Sequence, residues 1–471
     1  MALGDPACGA PACVGGKCAW QAAADGSACA QGDACQSGQC AAGHCVLSDD
    51  QPYWDVAFNP FQDGTAAWAA AVAVTADGTL VAAGGTGWQE PDLGYTYGFW
   101  TSVLTSQGAP DWTKNIEWGD SPEAAQSPGI RALQARPDGS VWAVGSQYGD
   151  VVVVARAGTG SDVWIHAYGE KNLEEAGFAA VSLGAATFVG AQRSQGDSWH
   201  PWLLQLDAAG KVLSEHSWPG LSAGILGGAA WQGGIGWVGL AQEGDNRYAW
   251  IARSDVTGEL VWEKSLPFPS RDGATSCAIG ANGDLWAVGN QLSPSGDRDA
   301  WLGRIDPAGA ITWQTTLGGT GVDSLNSIAA LPGGGFIATG ETAKGWGHGD
   351  LWLVRLDPAG GILWQRTYGG SDWEAGLAVV PLAENVPGGA GFLIGGSSMS
   401  KVKSKLGSTT YWADAWLLRV SPTGELRCDG SDFCTGSHIA DCYDGDKCTL
   451  DLCDAHSGQC LHPKTALTGC K

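Results

Sequence analysis

Apolar residues in this chain come in short runs separated by glycine-bearing turns, and the runs repeat. Residues 299–319 read DAWLGRIDPAGAITWQTTLGG, and residues 350–370 read DLWLVRLDPAGGILWQRTYGG. Each phrase is an apolar run, a turn ending in glycine, and a second run with Trp four residues after that glycine (Gly309 to Trp313, Gly360 to Trp364). The pattern predicts a β-hairpin whose tight turn needs a residue free to take positive φ. Weaker copies occur at 98–112, 151–164, 200–214, 248–262 and 414–428. Trp352, Val354 and Leu356 fall on one side of the strand and Leu353 on the other, so both faces are apolar. Strands apolar on both faces belong to sheets packed between other sheets.

Two more strands precede each hairpin. First strands are predicted near 70–75, 129–135, 177–183, 227–232, 274–280, 326–331 and 376–382. Second strands follow near 79–84, 140–145, 185–190, 235–240, 284–289, 335–340 and 391–396. Trp202, Trp250, Trp301 and Trp352 are spaced by 48, 51 and 51 residues, and the step of 64 to Trp416 contains an inserted loop at 397–413. Four-stranded repeats of about 40 to 50 residues predict the blades of a β-propeller. The fold class is therefore all-β, a seven-bladed β-propeller.

Fourth strands pair a Trp with an apolar residue four further on: Trp112 and Ile116, Trp164 and Tyr168, Trp262 and Leu266, Trp313 and Leu317, Trp364 and Tyr368. Blade three departs, with Ser214 before Trp218, and blade seven has Cys428 at the Trp offset. The missing pair stands near the N-terminus as Trp54 and Phe58. Strand 53–58 is therefore predicted to complete blade seven and close the ring, pairing an edge that would otherwise invite aggregation. The division expected is an N-terminal cysteine-rich module over 1–48, the propeller over 49–427 and a C-terminal cysteine-rich module over 428–471.

Composition agrees with a turn-rich, tightly anchored chain: 471 residues hold 73 Gly, 25 Trp and 2 Met. The net charge of −24 repels nucleic-acid phosphate and anionic lipid, which leaves cations, sugars or basic proteins as partners. No stretch approaches the roughly 20 apolar residues of a membrane span. Fourteen of the 15 cysteines crowd the ends: Cys8, Cys13, Cys18, Cys29, Cys35, Cys40 and Cys45, then Cys428, Cys434, Cys442, Cys448, Cys453, Cys460 and Cys470. Segments so poor in apolar residues need disulfides, and disulfides persist in oxidising compartments. A secreted or cell-surface protein is expected, its signal peptide removed. Each module has an odd number of cysteines. Either one bridge joins the modules, or each offers a thiol to another chain, including another copy of this one. Cys277, on a first strand, is expected to be a buried thiol.

Metal chemistry has few footholds. The N-terminal module has no C-x2-C pair and only His44, so disulfides rather than zinc are expected there. His438, His456 and His462 would bind zinc only beside reduced cysteines. Asp444, Asp446, Asp451 and Asp454 cluster closely enough to form a candidate calcium site, although Cys448 and Ala455 stand where an EF-hand needs ligands. No other cofactor is expected. The phrases DGSACAQGDACQSGQC and CYDGDKCTLDLCDAHSGQC resemble short cysteine-rich repeats in secreted proteins of myxobacteria and their relatives, which implies an extracellular setting.

Asp255-Val256-Thr257-Gly258-Glu259-Leu260-Val261-Trp262 resembles the tryptophan-docking repeat of quinoprotein dehydrogenases, and its Asp-x-x-Gly-x-x-x-Trp core recurs at 306–313 and 357–364. That resemblance implies a bacterial propeller of tryptophan-docked blades. It does not carry the chemistry, since no vicinal cysteine pair occurs to stack a quinone. A lone G-x-S-x-G at 220–224 puts Ser222 between predicted strands, where a hydrolase elbow needs a strand before and a helix after.

The loops that join second to third strands, and fourth strands to the next blade, emerge on one side. They carry Trp68, Trp88, Trp118, Trp199, Trp346, Trp373 and Trp412, with Asp63, Asp120, Asp272, Asp323, Asp372 and Glu374 nearby. Aromatics beside carboxylates suit stacking of sugar rings and bonding of their hydroxyls. Asp323 and Asp372 follow the repeated Gly-Gly and are expected to bond the blade's own backbone. The expected function is a secreted, non-enzymatic propeller that binds an extracellular glycan or protein through this face. The alternative is a structural subunit of an extracellular assembly joined through its cysteine modules, and a weaker alternative is a quinoprotein-like enzyme.

Overall fold

An Asp-x-x-Gly turn joins the third and fourth strands of blades three to six, with Ser in place of Asp after the third strand of blade seven. Asp306 Oδ1 accepts from the amides of Ala308 and Ala310, and Asp357 Oδ1 from those of Ala359 and Gly361. Asp207, Asp255 and, through its hydroxyl, Ser421 repeat the arrangement. The turn folds the third and fourth strands into register; the third, as in Asp350–Leu356, is buried on both faces and so packs sheet on sheet, while the fourth is the half-exposed outer edge.

The computed structural model describes residues 53–58, 65–90, 94–105, 108, 129–158, 161–196, 198–218, 220–293, 296–343, 349–369, 372–399 and 413–426, with short strand segments in the terminal modules. It is a seven-bladed β-propeller in which the described residues form no helix. Blades two to six are four-stranded antiparallel sheets in chain order; blade six runs Ser324–Ala330, Phe336–Thr342, Asp350–Leu356 and Ile362–Tyr368. Blade one shows three strands, Thr65–Val74, Leu80–Glu90 and Gly94–Val103. Its expected fourth strand, with Trp112, lies outside the described residues. The first strand of each blade contacts those of both neighbours, and the seven close around a central axis.

Blade seven is completed as the sequence predicts. Strands Glu374–Leu382, Gly391–Ser398 and Asp414–Val420 are joined by Trp54–Phe58, with Arg419 opposite Trp54 and Ala415 opposite Phe58. Trp54 is 8% exposed.

First strands begin up to five residues earlier than their hydrophobic pattern suggests, at Thr65, Glu175, Ala223, Ser324 and Glu374. The reason is a β-bulge in every one. The unpaired bulge residues are Ala70, Arg131, Phe178, Leu226, Thr275, Asn326 and Leu377, all half-buried. An extra residue breaks the period of two that an apolar reading relies on. It also ties blade to blade: Thr275 Oγ1 donates to Leu325 O (2.8 Å), Asn326 Nδ2 donates to Gly376 O (2.8 Å), and the Arg131 guanidinium lies 4.6 Å over the Phe178 ring.

The outer seams are held by the repeated tryptophans. Trp164 of blade two packs on Gly210 of blade three, Trp262 on Gly309, Trp313 on Gly360, Trp364 on Gly424, and Trp54 on Gly108 across the closure. Trp164 and Trp262 also donate from Nε1 to Ala208 O and Pro307 O of the adjoining turns (3.3 and 3.2 Å). Four residues on, Tyr168 and Tyr368 donate their hydroxyls to the carbonyls of the same glycines, Gly210 and Gly424. Blade three, lacking the tryptophan, lays His216 against Gly258 instead, with Nδ1 3.5 Å from Glu259 Oε1.

A second motif lies within blades four to seven. Third-strand tryptophans donate to the residue that follows the docking Trp: Trp250 to Glu263, Trp301 to Gln314, Trp352 to Gln365 and Trp416 to Asp55 (2.9 to 3.2 Å). The closing strand therefore supplies both parts. In blade three, Trp202 Nε1 finds no acceptor among the described residues.

The terminal cysteine side chains lie outside the described residues. Backbone pairing there sets Cys13 opposite Cys18, Cys40 opposite Cys45 and Cys453 opposite Cys460. Among the described residues no helix is long and apolar enough to cross a membrane.

Candidate functional site

The two ends of the propeller differ in kind. The end formed by first-to-second and third-to-fourth turns is consumed by Asx bonds and docked tryptophans. The opposite end carries second-to-third loops and blade crossovers, and the sequence-nominated residues gather there.

The structure divides the nominated tryptophans. Trp68 is half-buried over Gly85 of its own blade, where an added Cβ would meet its ring. Trp373 is half-buried and donates from Nε1 to Glu341 Oε2 at 2.8 Å. Both make contacts within the fold. Trp199 is half-buried at the start of strand Ser198–Leu206, opposite Ser194. Trp118, Trp346 and Trp412 lie outside the described residues, as does the side chain of Trp88.

The acids are mostly structural. Asp323 is fully buried, accepts from Gly319 N at 2.8 Å and Ala343 N at 3.3 Å, and bonds the Thr342 hydroxyl. That is the backbone role expected of it. Glu374 is buried and accepts from Ser398 Oγ at 3.0 Å. Asp272 accepts from Asn290 Nδ2 (2.8 Å) and pairs with Arg298 (2.7 Å), whose other nitrogen reaches Glu341 (3.3 Å). Burial pushes the Glu341 carboxyl above the usual range, and Arg298, Trp373 and Ser324 oppose that shift. This network locks blades five, six and seven together. Asp372 is half-buried, and Asp63 and Asp120 lie outside the described residues.

Between blades two and three the same crossover is left more open. Glu175 is buried; its Oε1 accepts from Arg193 Nε and Glu170 N, at 3.0 and 3.1 Å. Arg193 Nη1 reaches the exposed Glu170 at 3.0 Å, and the guanidinium stacks 3.8 Å over Trp202. Glu175 Oε2 has no hydrogen bond among the described residues and faces Asp150 across Gly169. Burial raises both carboxyls, and for Glu175 the nearby Asp150 charge adds to the rise.

The sequence reading missed Tyr148. Gln147 pairs with Asp150, leaving Tyr148-Gly149 as a two-residue turn with φ of 51° and 83°. Corresponding turns in blades three and four begin with Gly196 and Gly244, both at φ 62°. Tyr148, 51% exposed, is the only exposed Phe, Tyr or Trp among the described residues. The signal in the sequence is the Tyr-Gly between the apolar runs VWAVGS and VVVVAR.

The other chemical candidates resolve simply. Ser222 precedes strand Ala223–Trp231 rather than a helix, and His200 Nδ1 donates to the Leu221 carbonyl at 2.6 Å. Cys277 is buried, its thiol pushed up to about 12 by desolvation. Among the described residues no three His, Cys, Asp or Glu side chains gather in a form that could hold a metal. The nominated calcium ligands Asp444, Asp446 and Asp451, and the side chain of Asp454, lie outside the described residues. Comparison with protein-family models and with curated proteins finds no match to the chain.

Proposed function

We propose that this chain is a secreted, non-enzymatic propeller that binds an extracellular ligand, with glycan the favoured class, through its loop face. The observation that carries the reading is the asymmetry between the two ends. One end spends its polar groups on its own backbone, whereas the other exposes Tyr148, half-buries Trp199 and sets charged pairs beside them. Aromatic faces next to hydrogen-bonding pairs are what sugar recognition requires. A secreted setting is supported by the cysteine-dense ends. Catalysis is the weaker reading because Ser222 lacks the strand-to-helix elbow a hydrolase nucleophile needs.

The test is an array of extracellular polysaccharides and oligosaccharides probed with the intact chain. Saturable binding, with the bound glycan recovered uncleaved, is the expected result. Absence of binding across the array, or turnover of a bound glycan, removes this reading. Reduction of a redox dye on adding a quinone cofactor turns it toward the quinoprotein alternative.

A further inference from the structure

We infer that the cleft between blades two and three is a subsite for one or two pyranose rings of a neutral glycan, gripped between Tyr148 and Trp199. The inference rests on the reading of the loop face as a ligand-binding surface and names one place and one ligand chemistry on it.

The geometry comes from how the crossover threads between two hairpins. On one side Glu175 N donates to Gly149 O, immediately beside Tyr148. On the other, Ser194 N donates to Glu174 O (2.7 Å), Glu174 N donates to Ser194 Oγ (2.8 Å), and Ser194 is the residue opposite Trp199. Neighbouring strands lie about 4.8 Å apart, so two spacings put the hairpins about 10 Å apart with residues 169–174 as the floor between them. That span matches one to two sugar rings. The floor carries polar groups: Glu170, exposed and held by Arg193, and Asn172, exposed with φ of 72°. A fixed carboxylate accepts from vicinal hydroxyls, and an amide offers both a donor and an acceptor.

Tyr148 takes a turn position whose backbone angle favours glycine. A tyrosine at positive φ is strained where glycine is free, and the turns at the same place in blades three and four take glycine. Its ring is more than half exposed, so it returns little burial energy to the fold. A strained, exposed aromatic at a loop crest is a residue kept for what it touches. Net charge narrows the ligand: at −24 the chain repels uronate and sulfate, and the carboxylate on the floor adds to that, which leaves neutral sugars.

The experiment measures binding of the intact chain to neutral oligosaccharides (β-glucan, α-glucan, chitin and galactan fragments), with oligo-uronates alongside, for wild type, Tyr148→Gly and Trp199→Ala. Tyr148→Gly suits the turn and keeps the melting temperature at or above the wild-type value, so loss of binding in it is not loss of fold. Affinity for a neutral fragment about tenfold weaker or worse in both variants, with uronates unbound throughout, supports the subsite. Wild-type affinity in Tyr148→Gly, or a preference for uronates, overturns it while leaving a glycan-binding loop face intact. A wild-type chain that binds no glycan removes both. A melting temperature that falls in Tyr148→Gly makes the tyrosine structural and overturns the subsite.

Discussion

Single residues in this ring are held by contacts that leave little latitude. Gly360 has φ of 92°, and an added Cβ would sit 2.6 Å from the Trp313 ring. Gly360→Ala therefore combines left-handed strain with overpacking, and chemical denaturation is expected to show a loss of about 2–4 kcal/mol. Asp150 tests the opposite case. Burial holds its carboxyl and that of Glu175 above the usual range, so the folded state keeps protons that the unfolded chain releases. Stability on this account is full below about pH 4, where both states are protonated, and falls as pH rises through the elevated values. Asp150→Asn removes one of the two facing charges. Its melting temperature is expected to exceed the wild type's at pH 7 and to converge with it below about pH 4; a constant offset at every pH would exclude a titration origin.

At the level of elements, the docking hairpin recurs with one lapse among the described blades. Blades two, four, five and six and the closing strand each place a tryptophan on the next turn's glycine, and blade three does not. Blade two shows that the lapse can be repaired without moving the histidine, since Trp164 and His166 stack at 4.7 Å and both reach Gly210. Ser214→Trp should let His216 do the same against Gly258 and stabilise the ring by about 1 kcal/mol, read as a higher denaturant midpoint with unchanged slope. The repeat was legible in the chain because its signals are local: Asp, Gly and Trp at fixed offsets, and apolar residues on both strand faces. Ring closure was legible for the same reason, since Trp54 and Phe58 carry the offset that Cys428 breaks. Three things were not legible. The first-strand bulges erase the alternation that would place the strand starts, and the part played by Trp373 depends on Glu341, which lies 32 residues away. Tyr148 escaped notice because its significance is a backbone angle, which residue type does not announce.

For the whole molecule, closure decides integrity. Removing residues 1–58 would leave the edge of Asp414–Val420 unpaired, strip the acceptor from Trp416 and uncover the Gly108 seam. The melting transition is expected to fall by roughly 10 °C or more and to broaden, and light scattering should show self-association through the open edge. An undiminished, monomeric transition would mean that six and three-quarter blades suffice. The same pairing also sets how the ring answers a pull. The chain enters at Tyr53 and leaves past Leu426 at one end of blade seven, where Arg419 faces Trp54. Traction on the two termini thus loads that pair first and peels the five facing pairs in succession, like a zip drawn from its tab, instead of shearing them together. A particle tethered by its ends would yield at low force, at one seam, with the other six blades still folded.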